Sequence, residues 1–231
     1  MTSLTEGQLP TTPAAIASFP STELASGTGY VQYYGSTGAS GAHIVTTTPV
    51  YSEDIHTHNV VTSTTSFSKL FDFDWDITYN LPRYVKGWIY LNFPLGTHEA
   101  LRPYDRYWYA KGEAFHYDGT TETSLGSGTS RIFFTQNNEG VIDSEMCQIK
   151  IDATAGKHFK RGEILRFTIQ GYMKNITTQS GGISFGVGCD PQNRTDVTWD
   201  VDGNAANDSQ QIIETDQPTI MIFNVPYRSG V

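Results

Sequence analysis

His158–Met173 reads HFKRGEILRFTIQGYM, and the fold is decided there. Phe159 is an apolar anchor, and Lys160-Arg161-Gly162-Glu163 is a charged turn with a glycine to bend it. From Leu165 to Gln170, apolar Leu165, Phe167 and Ile169 alternate with polar Arg166, Thr168 and Gln170. A period of two puts one face against a core and the other toward water, which specifies a half-buried strand and fits a helix poorly. Near the end of the chain, Pro218–Pro226 (PTIMIFNVP) is more uniformly apolar and reads as a strand covered on both faces. A turn that launches one strand, with a hydrophobic strand closing the chain, is how antiparallel sandwiches are written.

Working outward, Phe67–Thr78 has the strictest alternation. Phe71, Phe73, Trp75 and Ile77 share one face, and Asp72, Asp74 and Asp76 share the other, which reads as solvated. Val85–Phe93 is a mostly apolar strand ended by Pro94-Leu95-Gly96. Tyr104–Tyr117 is a long aromatic strand with a bulge expected near Gly112. Gly119–Ser130, almost all Gly, Ser and Thr, reads as a loop tip, and Cys189–Ser209 as a long polar excursion. About ten short strands with Gly and Pro punctuation, and no three-turn helix, read as an all-β fold. The absence of βα alternation excludes a nucleotide-binding α/β fold. The expected architecture is an antiparallel β-sandwich of jelly-roll type over residues 28–231.

Residues 1–27 form an extended N-terminal arm rich in Thr, Ser, Pro and Ala, punctuated by Pro10, Pro13 and Pro20. Leu4, Leu9, Ile16, Phe19 and Leu24 make it more apolar than a solvated tail. It reads either as disorder or as an arm lying on a neighbouring subunit.

The 231 residues suit one large all-β domain. Charged residues are 17%, below the roughly 25% of an ordinary soluble domain, so much of the polar surface is hydroxyl and amide. A net charge of −9 without a basic patch argues against a nucleic-acid partner and against an anionic membrane surface. The start MTSLTEGQLPTTPAA has no secretory signature, and no run is long enough for a membrane-spanning helix. Cys147 and Cys189 read first as two buried thiols, with a disulfide as the alternative.

Few constellations offer chemistry. His56-Thr57-His58 has usable metal spacing, and a cupin-type enzyme would need a further histidine from His98, His116 or His158. Asp200 and Asp202 open a segment like a calcium loop, but Ala205 stands where the glycine is required and Gln211 where the bidentate Glu is required. His56, His58, Asp200 and Asp202 are therefore the metal candidates, and calcium is the one cofactor the sequence suggests. Tyr104, Tyr107, Trp108 and Tyr109 are the candidate glycan or partner contacts. No GxSxG, HExxH or phosphate-cradling glycine loop occurs, so no catalytic residue is assigned and no enzyme activity is expected.

FKRGEILRFTIQGY (159–172), the Gly186-x-Gly188-Cys-Asp-Pro-Gln-Asn-Arg194 loop and ETDQPTIMIFNVPYR (214–228) together resemble jelly-roll structural proteins of tailed and other icosahedral viruses. The type is that of capsid decoration, turret and minor capsid subunits, and the resemblance covers the last third of the chain in detail. It implies a virion protein, assembled in the host cytoplasm, that forms homo-oligomers (trimers or pentamers), holds other capsid proteins with its arm and shows its loops to solvent. The alternative is a carbohydrate-binding module for host recognition.

Overall fold

The structure, a computed structural model, describes residues 29–38, 41–52, 56–61, 64–98, 105–135, 142–176, 183–194, 197–199, 212–214 and 218–228. The expected arm, residues 1–27, lies outside them. The strands are β1 (Gly29–Thr37), β2 (His43–Thr46), β3 (His56–Val61), β4 (Ser68–Thr78), β5 (Arg83–His98), β6 (Arg106–Tyr117) and β7 (Glu122–Thr129). They continue with β8 (Phe133–Thr135), β9 (Ile142–Phe159), β10 (Ile164–Asn175), β11 (Ile183–Gly188), β12 (Val197–Trp199), β13 (Ile212–Glu214) and β14 (Met221–Tyr227).

The charged turn forms as its sequence dictates. Gly162 takes φ 88°, where a side chain is strained. Its N–H donates to Tyr79 O at 2.7 Å, and Tyr79 N–H donates to Glu163 O at 3.0 Å. The turn thereby launches β10 between β4 and β6, with Phe167 opposite both Trp75 and Ala114.

One sheet sets β1, β14, β5 and β9 side by side, and the other sets β4, β10, β6 and β7 side by side. Numbered by order along the chain, these eight strands run 1-8-3-6 and 2-7-4-5. That is the strand order of a jelly roll. The inner faces meet in an aromatic core. Phe167 stacks on Phe223 at 4.9 Å across the two sheets, Trp75 lies 6.2 Å from Phe223, and Phe71 lies 5.0 Å from Phe185. Trp75, Leu91, Phe93, Ile149, Phe167 and Phe223 are fully buried. Burial on that scale contributes about 1.5–3 kcal/mol per large apolar side chain.

Several boundaries differ from the sequence reading. Gly119–Ser130 is largely strand β7, not a loop tip. A Cβ at Gly126 or Gly128 would collide with the carbonyls of Asp152 or Lys150 on β9, so the glycines are what lets the two sheets close together along this edge. β5 runs through Pro94 instead of stopping there. Pro94 falls between Asn92, the last residue paired with β14, and Leu95, the first paired with β11. On that flank the strand has no ladder partner, a setting that tolerates proline. The register shift of β6 falls between Ala114 and Phe115 against β7, not at Gly112. β14 buries Met221, Phe223 and Val225 fully, but Ile222 and Asn224 only half, so it is covered on one face more than the other. The polar excursion contains β12, paired with β13.

Candidate functional site

The outer face of the β4-β10-β6-β7 sheet carries most of the surface chemistry. Its two halves share β10 and β6. Toward the start of β10, Arg166 donates from Nε and Nη2 to both carboxylate oxygens of Asp76 at 2.8 Å, and from Nη1 to Glu122 at 2.6 Å. Asp76, first among its neighbours, drives the guanidinium further above its ordinary pKa. Thr168 Oγ1 donates to Asp74 at 2.5 Å, Gln170 Nε2 donates to Glu113 at 3.1 Å, and Lys111 pairs with Glu113 at 2.9 Å. Lys69 pairs with Asp72. The aspartate ridge on β4 is therefore consumed by protein partners, strand by strand.

Toward the end of β10 the same face turns aromatic. Tyr172 lies opposite Tyr109, and Lys174 opposite Tyr107. Tyr172 and Tyr109 stack in parallel at 5.0 Å, and Phe67 sets its edge against Tyr109 at 5.1 Å. Lys174 Nζ lies 4.9 Å from the Phe67 ring centre and 5.1 Å from that of Tyr107, and Tyr107 is 4.9 Å from Phe134. Five rings and one ammonium thus form a continuous band. Phe134 is 48% exposed, and two flanking residues, Ile132 and Ile176, are 58% and 51% exposed. Burial, with Tyr172 beside it, raises the Tyr109 phenol pKa. Lys174 is the one cation of this face that has no carboxylate partner among the described residues.

The sequence candidates divide accordingly. Tyr107 and Tyr109 lie in this band. Trp108 does not: strand alternation turns it inward, where it stacks on Phe133 at 4.7 Å and donates its indole N–H to Thr135 at 2.8 Å. Tyr104 lies outside the described residues. Phe67, Phe134, Tyr172 and Lys174 were not singled out. Following the alternation of β10 past Gln170 would have found Tyr172 and Lys174, whereas Phe67 and Phe134 join through tertiary packing that leaves no sequence signal.

The metal candidates do not converge among the described residues, which contain no group of three His, Cys, Asp or Glu able to hold an ion. His56-Thr57-His58 is the start of β3, paired with β11, and not a loop. The side chains of His56, His58 and His98 lie outside the described residues, as do Asp200 and Asp202. His116 is buried and lies 2.7 Å from Glu163, whose carboxyl is held below its usual range by His116 first and by the Lys160 N–H next. His158 stacks on Tyr84 at 4.1 Å. Asp190 is buried and accepts from the N–H and Nε of Arg194 at 2.7 and 2.9 Å. Arg194 in turn donates to Ser52 O at 2.6 Å and covers the Tyr51 ring at 4.3 Å. Asn193 Oδ1 accepts from Thr219 N–H and Ile220 N–H at 2.9 and 3.2 Å. The Asp-Pro-Gln-Asn-Arg stretch is thus a structural tie between the ends of β11 and β14. Cys147 and Cys189 are buried and form no disulfide, and burial pushes the Cys147 thiol up to about 12.

No protein-family model matches the chain, and no curated protein matches it. Among solved structures it is similar to a CocE/NonD family hydrolase from Staphylococcus aureus, at 11% identity over 87% of this chain and 37% of that one, TM-score 0.43. It is also similar to an aminopeptidase from a marine-sediment Thaumarchaeota archaeon, at 9% identity over 87% and 37%, TM-score 0.47. A third is the structure of infectious bursal disease virus Gt strain, at 8% identity over 88% and 38%, TM-score 0.35. The chain spans less than two fifths of each of these longer chains. With TM-scores below 0.5, these likenesses decide neither the fold nor the function.

Proposed function

We propose that the protein is a structural jelly-roll subunit of a virion, one that self-associates and packs on a capsid surface, without enzymatic activity. The observation that carries this reading is the aromatic band Tyr172-Tyr109-Phe67-Lys174-Tyr107-Phe134, a half-buried apolar surface on the outer sheet face with Phe134 exposed at its end. Aromatic residues are what interface cores are enriched in. The ionic groups of the same face, and the part-buried His116–Glu163 and Asp190–Arg194 pairs, are engaged with one another as ties that rigidify the subunit. Partners of the subunit are other copies of itself and other shell proteins, within a virion. The test is solution mass by light scattering, with and without residues 1–27. A discrete trimer or pentamer, or larger assemblies that dissolve on removing the arm, supports the reading; a monomer in both forms ends it.

A second reading, a carbohydrate-binding module for host recognition, draws on the same band, because aromatic faces also stack on sugar rings. A glycan array separates the two. Retention of a defined glycan by the wild type but not by Tyr109→Ala favours the module, and a blank array favours the subunit.

A further inference from the structure

We infer that the aromatic band is the seat for residues 4–13 of a second copy of this chain, an inference that rests on the self-associating reading above. The chain ahead of β1 contains Leu9-Pro10-Thr11-Thr12-Pro13, a Pro-x-x-Pro stretch, with Glu6 four residues before its first proline. Proline-rich segments pre-set the extended polyproline II helix and dock on aromatic-lined surfaces at low entropic cost.

The dimensions agree. Polyproline II rises about 3.1 Å per residue, so Pro10 and Pro13 stand about 9 Å apart on one side of the segment. Successive members of the band are 4.9 to 5.1 Å apart, so two successive steps span at most about 10 Å, which admits the proline spacing. Charge agrees as well. Glu6 and Glu23 are the only charged side chains in residues 1–28, so the segment is acidic. Lys174, held between Phe67 and Tyr107, is the cation of the face that no described carboxylate engages.

Among the described residues, the opposite outer face shows no such band. There Tyr30 and Tyr90 form one tilted pair at 6.1 Å, and the face of Trp88 is already covered by Lys150 at 3.7 Å.

Geometry favours a neighbour's segment over the chain's own. Gly29 pairs with Tyr227, whose hydroxyl meets that of Tyr79 beside the Lys160–Glu163 turn. The band lies at the other end of β10, about 33 Å away at 3.3 Å per residue, and on the other sheet. The 16 residues from Pro13 to Gly29 reach about 53 Å when fully extended. A chain docking on itself would use most of that length and wrap the edge of the sandwich as well.

The experiment uses the full chain in sedimentation equilibrium over a range of concentrations. Three variants are compared with wild type: Tyr109→Ala with Tyr172→Ala, Pro10→Ala with Pro13→Ala, and Lys174→Glu. The expected result is a tenfold or greater weakening of self-association by each, with thermal midpoints close to wild type. Combining the band and proline variants should weaken it little beyond either alone, and Glu6→Lys should restore part of what Lys174→Glu loses. Assemblies that tolerate all three variants but fall apart without residues 1–27 would overturn this seat while leaving the subunit reading intact. A wild type that stays monomeric at every concentration would overturn both. A wild-type oligomer whose mass ignores Pro10 and Pro13 but responds to Tyr109 also overturns it, assigning the band to another contact.

Discussion

The two halves of the outer β4-β10-β6-β7 face share β10 and β6 and their alternation, yet differ in chemistry, and the register of β10 against β4 shifts between them, at Gly171/Tyr172. Around Arg166, the guanidinium meets Asp76 on the adjacent β4 and reaches across β6 to Glu122 on β7. Around Lys174, four residues beyond Gln170, the neighbours are rings, and among the described residues the cation has no carboxylate partner. A cross-strand ion web saturates itself and presents little to a partner. A ring band covers part of its apolar area by stacking on itself and leaves the rest in water, so it gains by being covered. On one pleated surface, the identity of the residue directly opposite decides whether a region is an ion web or a ring band.

The largest blow to this contrast is one that removes both halves together. Phe167→Ala beneath the face deletes the stacking on Phe223 and leaves a cavity between the sheets. It should lower unfolding free energy by about 3–5 kcal/mol, read from urea denaturation. Arg166→Ala breaks the ionic half alone. Asp76, Asp74 and Glu122 lose their shared cation, and a loss of roughly 1–2 kcal/mol is expected, shrinking in high salt. Tyr109→Ala breaks the aromatic half alone and should cost only about 0.2–1 kcal/mol of stability, since it removes the half-buried cross-strand pair with Tyr172 and the edge contact with Phe67. If Tyr109→Ala proved as destabilising as Arg166→Ala, the band would be a structural element and not a surface held ready for a partner.

Two smaller effects sharpen the picture. The Glu163 carboxyl has a folded pKa below its unfolded one, so its contribution is present above about pH 4.3 and is lost as pH falls through the folded value. Glu163→Gln should flatten that acid-side decline in the urea midpoint. Cys147, pushed up to about 12 by burial, and the buried Cys189 should both resist alkylation at pH 8 and react only after denaturation. Rapid labelling of either thiol in the native protein would contradict the closed sandwich.

Much of the fold was legible because period-two alternation survives wherever one face is buried. Leu165–Gln170 and Phe71–Ile77 named their inward residues correctly, and the glycine turn at 160–163 stood in plain sight. β7 was illegible for a physical reason. A strand squeezed against another backbone must shed its side chains, and what remains looks like a loop. Proline misled at residue 94 because a break in one flanking ladder is invisible along the chain. The site was half legible. Adjacent Tyr107, Trp108 and Tyr109 look alike in composition, but they fall on alternate faces, so Trp108 belongs to the core.

What the sequence alone determined is local: alternation, turn chemistry and the strand-rich class follow from each residue's backbone preference and the hydrophobicity of its neighbours. Only the tertiary structure decided which strands became neighbours, placing β14 beside β1 and β10 between β4 and β6. That pairing opposes Arg166 to Asp76 and Tyr172 to Tyr109 across residues distant in sequence. Such partners are selected by register and sheet closure, which depend on the whole chain at once, and no window of sequence contains them.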